Sequence, residues 1–237
     1  MKVLISGASG LVGGRLIQSL LESGNVEIRA ASRIASSWPD GVEGCVVDLS
    51  QPSTLHKACL QVDAVINLAS MAERLCSVDP QAALQANSGG TLTLATVAAT
   101  AGISRFVQVS TYKVYGNNPR GRVTEDTPCE PQSHYAITHR AAEDYARSQH
   151  SNSVIFRLAN GFGAPVNDAV NCWEIIVNEL CRQVVVDGRI TIRSSGRAWR
   201  NFVPMLDVVR ALRAGATNLP SGTYNLGSRE SMQLRSL

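Results

Sequence analysis

The sequence has no apolar run approaching the roughly 18 residues that a bilayer-spanning helix requires. Its six cysteines, at positions 45, 59, 76, 129, 172 and 181, form no C-x-x-C pair and do not cluster with the four histidines. Neither a structural zinc site, nor any other metal site, nor a disulfide framework is therefore expected, and a reducing, cytoplasmic setting fits. Lysine and arginine are spread along the chain and the net charge is only +3, which leaves no basic tract for nucleic acid or a membrane surface. Ser, Gly and Arg15 interrupt the apolar residues behind Lys2, so the N-terminus lacks the continuous h-region of a signal peptide. No internal repeat or low-complexity segment is visible. What remains is 237 residues, 44% of them hydrophobic, enough to bury the core of one large domain or of one domain with a small appendage.

The most informative segment comes first. Val3-Leu4-Ile5-Ser6 enters a glycine-spaced turn, Gly7-Ala8-Ser9-Gly10-Leu11-Val12-Gly13, which opens an amphipathic stretch through Leu21. The order is strand, phosphate-sized turn, helix. Glycine there permits positive φ and close approach of a ligand, and the unpaired N–H groups of the helix start face an anion. The spacing is G-x-x-G-x-x-G, and its place directly after a strand makes a dinucleotide pyrophosphate the natural guest.

Short β-rich runs then alternate with helical patterns. Val26–Ala31, Cys45–Val47, Ala64–Leu68, Phe106–Val109 and Val154–Leu158 read as strands, and Leu11–Leu21, Ser53–Leu60, Pro80–Ala101, Tyr135–Ser148 and Cys172–Arg182 as helices. Continuous apolar strands separated by helices indicate a parallel sheet covered on both faces, hence an α/β, doubly wound fold. The rhythm loosens after about residue 160. A short strand over Ile190–Arg193 and a helix from Asp207 suggest a small C-terminal substrate lobe, so the expected division is a dinucleotide-binding domain over 1–160 and a lobe over 161–237. Ser231–Leu237 begins to look helical where the chain stops, which would suit a truncated sequence with an incomplete lobe.

In a doubly wound sheet the strand C-termini line the ligand crevice. Asp48-Leu49, Asn67-Leu68-Ala69, Ser110-Thr111-Tyr112-Lys113-Val114-Tyr115-Gly116 and the helix start Tyr135-Ala-Ile-Thr-His139 are thereby expected to converge on one bound dinucleotide. The second strand ends Ala30-Ala31-Ser32-Arg33 with no carboxylate before Asp40. An acidic residue there would bond the adenosine ribose and favour NAD, whereas Ser32 and Arg33 could hold a 2′-phosphate. The reading leans to NADP, with NAD as the alternative.

With these segments in order, together with Asn87-Ser-Gly-Gly-Thr91, Arg157-Leu-Ala-Asn160-Gly-Phe-Gly163, Arg200-Asn-Phe-Val-Pro-Met-Leu-Asp207 and Tyr224-Asn-Leu-Gly-Ser228, the chain resembles the extended short-chain dehydrogenase/reductases. Within them it is similar to the NAD-dependent epimerase/dehydratase family, which remodels nucleotide sugars on a Rossmann-like fold, and the likeness runs over nearly the whole chain. It implies that Thr111 hydrogen-bonds the reacting sugar oxygen, that Tyr135 is the general acid/base, that Asp48 and Leu49 flank the adenine, and that Asn160 and Arg200 hold the nucleotide diphosphate of the sugar. A guanidinium suits that diphosphate because its fork pairs two oxygens at once. The resemblance also implies a homodimer through the two long helices, although Ala95, Ala98 and Ala99 would equally suit packing on the sheet.

Two departures matter. The family's Y-x-x-x-K supplies a cation that lowers the tyrosine pKa from about 10, but this chain has His139 one helical turn beyond Tyr135. Histidine can still orient a ribose hydroxyl, with Lys113 or Arg140 as candidate sources of charge, yet it is mostly neutral at pH 7 and depresses the phenol less. The acidic pair that follows the threonine in the 4,6-dehydratases is here Tyr112-Lys113, which offers no carboxylate for eliminating water. The expected activity is a nucleotide-sugar 4-ketoreductase or epimerase. The alternative from another class is a dinucleotide-binding sensor or scaffold that kept the fold after losing the lysine.

Overall fold

A computed structural model of the chain describes every residue except Asn118 and Arg120. Strands β1 (Lys2–Ser6), β2 (Glu27–Ser32), β3 (Val42–Val46), β4 (Ala64–Asn67), β5 (Arg105–Thr111), β6 (Ser153–Leu158) and β9 (Gly222–Leu226) form one sheet in the order β3-β2-β1-β4-β5-β6-β9. Every neighbouring pair in it is parallel. The strand order reverses between β1 and β4, which opens a crevice at their carboxyl ends. This is the doubly wound architecture expected from the alternating pattern.

The strands read as continuous apolar runs because successive residues serve opposite faces. Val3 and Ile5, Ala64 and Ile66, and Val107 face α1 (Leu11–Ser23) and α8 (Met205–Thr217). Leu4, Val65 and Phe106 instead join α2 (Pro52–Ala58) and α5 (Gly90–Thr100) on the other side. Burying each such Leu, Ile or Phe contributes about 1.5–3 kcal/mol. Of the three alanines, Ala95 and Ala98 pack into this second core and Ala99 is exposed.

The long helix expected over Pro80–Ala101 is one helical run with an irregular centre. Asp79 caps it by accepting from the Ala82 amide at 2.9 Å, and Pro80 occupies its first position, where a missing N–H costs nothing. α4 (Pro80–Ala83) widens into a π-turn over Leu84–Gly89 before α5 begins. The π-turn turns Asn87 inward. There its amide donates to the Thr138 hydroxyl at 2.9 Å and its carbonyl accepts from the Met71 amide at 2.7 Å, pinning α6 (His134–Gln149) to the loop that follows β4.

Residues 161–237 divide between the two layers. α8 packs on α1 and β9 completes the main sheet, while β7 (Asn160–Phe162), β8 (Trp199–Pro204) and β10 (Ser231–Gln233) form a small second sheet beside α7 (Ile176–Asp187). Three local expectations are corrected. Ile190–Arg193 is irregular, and the strand lies further on at Trp199–Pro204, where it can pair with β7 and β10. Ser231–Leu237 starts as an edge strand and ends in a 3-10 turn over Leu234–Ser236, because pairing with β8 outcompetes a short helix. The helix expected over Cys172–Arg182 begins four residues later and stops at Gly188, whose φ of +65° closes it. The short α3 (Glu73–Val78) after β4 had no periodic signal at all.

Candidate functional site

The glycine turn stands at the mouth of the crevice. Gly7 has φ +67°, and a Cβ on it would lie 2.8 Å from the Leu68 carbonyl carbon and the Ala69 nitrogen, so glycine alone lets the turn touch the end of β4. At Gly13 a Cβ would stand 2.5 Å from the Ala8 carbonyl oxygen, and its absence lets α1 press onto the strand. Ser9 and Gly10 are exposed, with Leu11 and Val12 half-buried behind them. Gly10 caps α1 without any side-chain hydrogen bond, and the first turn carries no acidic residue. The positive helix end and its amides are thus left for an external anion, a cradle that fits a dinucleotide pyrophosphate.

At the end of β2, buried Ser32 donates its hydroxyl to the Ile34 carbonyl at 2.5 Å, whereas Arg33 is exposed. Arg33 is thus better placed than Ser32 to meet a ligand phosphate. Asp48 accepts from the Ser50 amide and hydroxyl at 2.9 and 2.7 Å, and these bonds hold its carboxyl below the ordinary carboxylate value. Leu49 packs on Gly90, where a Cβ would come within 2.9 Å of its own Cβ. Leu68 and Ala69 line the opposite side, against Gly7.

Deeper in the crevice, the end of β5 brings Thr111 to Tyr135 in the first turn of α6. Ser133 caps that helix by accepting from the Ala136 amide at 3.2 Å, which sets where the turn begins and so where Tyr135 points. Burial pushes the Tyr135 phenol well above its ordinary value, the Glu73 carboxylate and Cys76 on α3 and Tyr112 add to the rise, and the neighbouring Thr111 hydroxyl opposes it. The His139 ring meets the Tyr135 ring edge-on, centroids 4.4 Å apart. His139 is only 3% exposed. Neither of its ring nitrogens has a hydrogen-bond partner among the described residues. Burial drives its pKa down to about 4 against the weaker pull of the Glu143 charge, so the ring is neutral at physiological pH.

Both cations that could have replaced the missing lysine are engaged elsewhere. Lys113 is ion-paired with Glu73. Arg140 reaches Glu143 at 2.9 Å and Asp144 at 3.2 Å. One turn beyond His139, fully buried Glu143 accepts from the Ser110 hydroxyl at 2.6 Å and from the Arg157 guanidinium at 3.0 and 2.8 Å. Burial alone would raise the Glu143 pKa, but the bonds from Arg157, Ser110 and Arg140 outweigh it and keep the carboxyl ionised. Arg157 also donates to the Tyr115 hydroxyl at 2.9 Å, which donates to Asn225 at 2.6 Å. This network ties α6 to β5, β6 and β9 directly beneath the Thr111–Tyr135 pair.

Asn160 and Arg200 lie on neighbouring strands of the small sheet. Asn160 donates to the Asn201 carbonyl at 2.8 Å. Arg200 is exposed and its guanidinium donates to the Trp199 carbonyl at 2.9 Å. Beside them runs a groove of about 640 Å³, mainly apolar, lined by Phe162, Leu180, Val184, Phe202 and Met232, with Arg229 and Glu230 at its edge. Arg193 and Arg197 are exposed on the loop before β8.

Sequence reasoning missed Glu73, Cys76, Glu143 and Arg157. Glu143 had a detectable signal, since it follows His139 at i+4 and so shares its helix face. Glu73 had none, because the chain that joins it to Lys113 spans 40 residues. Among the described residues no three His, Cys, Asp or Glu side chains group as a metal site, and no helix is long and apolar enough to cross a membrane.

A sequence profile of the NAD dependent epimerase/dehydratase family matches residues 3–227. The low-salt glycan biosynthesis protein Agl12 of Haloferax volcanii is 26% identical over 96% of this chain and 77% of its own length. The dTDP-glucose 4,6-dehydratase of Streptomyces griseus is 25% identical over 99% of this chain and 76% of its own. Among solved structures, the UDP-glucose 4-epimerase of Thermus thermophilus in complex with NAD superposes with a TM-score of 0.86 at 25% identity, covering 100% of this chain and 80% of that one. With the profile match running over nearly the whole chain, the protein belongs to the NAD-dependent epimerase/dehydratase family.

Proposed function

We propose that the protein is an NAD(P)-dependent oxidoreductase acting on a nucleotide-diphosphate sugar, as a 4-ketoreductase or an epimerase. The observation that carries this reading is the meeting of Thr111 and Tyr135 at the carboxyl end of β5, in the crevice that the Gly7–Gly13 turn borders. Tyr135 is the proton-transfer group at the sugar oxygen, Thr111 bonds the same oxygen, and His139, its ring nitrogens enclosed before the cofactor binds, takes the orienting role toward the ribose. When bound, the nicotinamide supplies or accepts the hydride. Arg200, with Asn160 beside it, receives the diphosphate, and the apolar groove next to them takes the nucleoside end.

Further features support narrower choices. Exposed Arg33, without a competing carboxylate at the carboxyl end of β2, favours NADP, although relatives such as the Thermus thermophilus epimerase are solved with NAD. Dehydration is disfavoured, since Tyr112 and Lys113 replace the acidic pair and the nearby carboxylate of Glu73 is neutralised by Lys113. Six free cysteines suit a reducing cytoplasm. A homodimer through the two long helical segments fits the exposed apolar side chains of Leu84, on the π-turn before α5, and Ile137 on α6. Purified protein mixed with NADPH or NADH and a 4-keto nucleotide sugar should consume the reduced cofactor, and Tyr135→Phe should abolish it.

The neutral, unpartnered His139 also favours a second reading, a sensor that binds the dinucleotide without turning it over. Cofactor binding without consumption across several nucleotide sugars would select it.

A further inference from the structure

The reach of Tyr135 as an acid and as a base depends on which charges face it. From α3 come the Glu73 carboxylate and the Cys76 thiol, and from the end of β5 and the 3-10 turn behind it come Thr111, Tyr112 and Lys113, the last neutralised by Glu73. On its own helix stand His139, Arg140 and Glu143. The first is buried with both nitrogens unpartnered, the second is paired with Glu143 and Asp144, and the third is held by Arg157 on β6. The π-turn and α5 contribute only neutral groups such as Asn87 and Ser88. Among the described residues no unpaired cation therefore faces the phenol, and the carboxylates of Glu73 and Glu143 are themselves ion-paired.

We propose that at neutral pH this site works as a proton donor and not as a base, so that its sugar reaches it already oxidised to a ketone. This rests on the oxidoreductase reading above. In the reduction, hydride with its electron pair adds to the carbonyl carbon, the phenol proton passes to the carbonyl oxygen, and water reprotonates the phenolate afterwards. Sugar ketone and reduced cofactor become sugar alcohol and oxidised cofactor. Epimerisation must begin with the reverse step, in which a phenolate removes the hydroxyl proton as hydride leaves the sugar. That phenolate is the form the surrounding groups disfavour. The reaction that supplies the substrate is then a separate oxidation of a nucleotide-sugar hydroxyl, with or without loss of water, carried out on another protein.

The test combines a proton titration with two pH profiles. In the cofactor-free protein, tyrosinate absorbance of wild type minus Tyr135→Phe should be absent up to about pH 10, and His139→Lys should bring it down towards neutrality. For ketone reduction, kcat/KM should stay level from about pH 6 to about pH 10, whereas turnover of the corresponding alcohol with oxidised cofactor should rise about tenfold per pH unit. At neutral pH no C4 epimer should form from the alcohol. A phenol that ionises near neutrality, a reduction rate that falls above it, or epimer formed as fast as ketone is reduced would overturn this inference alone. No reduction at any pH would overturn the oxidoreductase reading and this inference with it.

Discussion

Replacing His139 with leucine should stabilise the protein more at acid pH than at neutral pH, and the size of the difference follows from one buried ring. In the folded chain His139 is 3% exposed and its pKa sits at about 4 rather than the ordinary 6.5. A depressed folded value means that the unfolded chain takes up the proton first as pH falls. The contribution to stability is therefore full above pH 6.5 and is lost progressively down to about pH 4. At pH 4.5 the loss amounts to about 2.5 kcal/mol, enough to lower the melting temperature by roughly 5–10 °C in a chain of this size. Leucine binds no proton in either state, so the variant escapes this loss. Urea titrations of both proteins at pH 7.5 and pH 4.5 measure the difference directly, and the carboxylates and other histidines common to both cancel. A stability difference between variant and wild type that is the same at the two pH values, within about 0.5 kcal/mol, would refute the neutral, buried state of His139.

Three further outcomes are expected. Glu143→Gln leaves the Arg157 guanidinium, 4% exposed, without its carboxylate, and should cost about 3–5 kcal/mol in urea unfolding; a loss below about 1 kcal/mol would show that the ion pair is dispensable. Gly13→Ala forces a Cβ to 2.5 Å from the Ala8 carbonyl oxygen, so α1 must lift from the turn and dinucleotide affinity by fluorescence titration should fall by at least about tenfold, the equivalent of roughly 1.4 kcal/mol. Arg33→Ser should weaken NADP binding by about 10- to 100-fold while leaving NAD unchanged, since only the 2′-phosphate gains a charge-assisted bond from the guanidinium; equal effects on both would place Arg33 outside the ribose site.

The layers of the fold were legible because their signals are local. Val3–Ile5 and Ala64–Ile66 are apolar throughout, as strands covered on both faces must be, and the helices between them carry one buried stripe each. The irregular second sheet was harder to read. Trp199–Pro204 becomes a strand by pairing with Asn160–Phe162 and Ser231–Gln233, partners remote in sequence, while Ile190–Arg193 has the better strand composition and no partner. Gly222–Leu226 likewise becomes the seventh strand only because β6 offers an open edge.

At the site, the sequence by itself determined the glycine turn, the strand end that carries Thr111, and the helical spacing that sets His139 one turn from Tyr135, because each depends on backbone geometry within a few residues. Tertiary structure decided the charges. Only folding brings Glu73 to Lys113, locks Arg140 and Arg157 onto Glu143, and encloses His139 without a partner. Protonation depends on solvent exclusion and on charges contributed by distant segments, and neither is written in the spacing of residues along one helix.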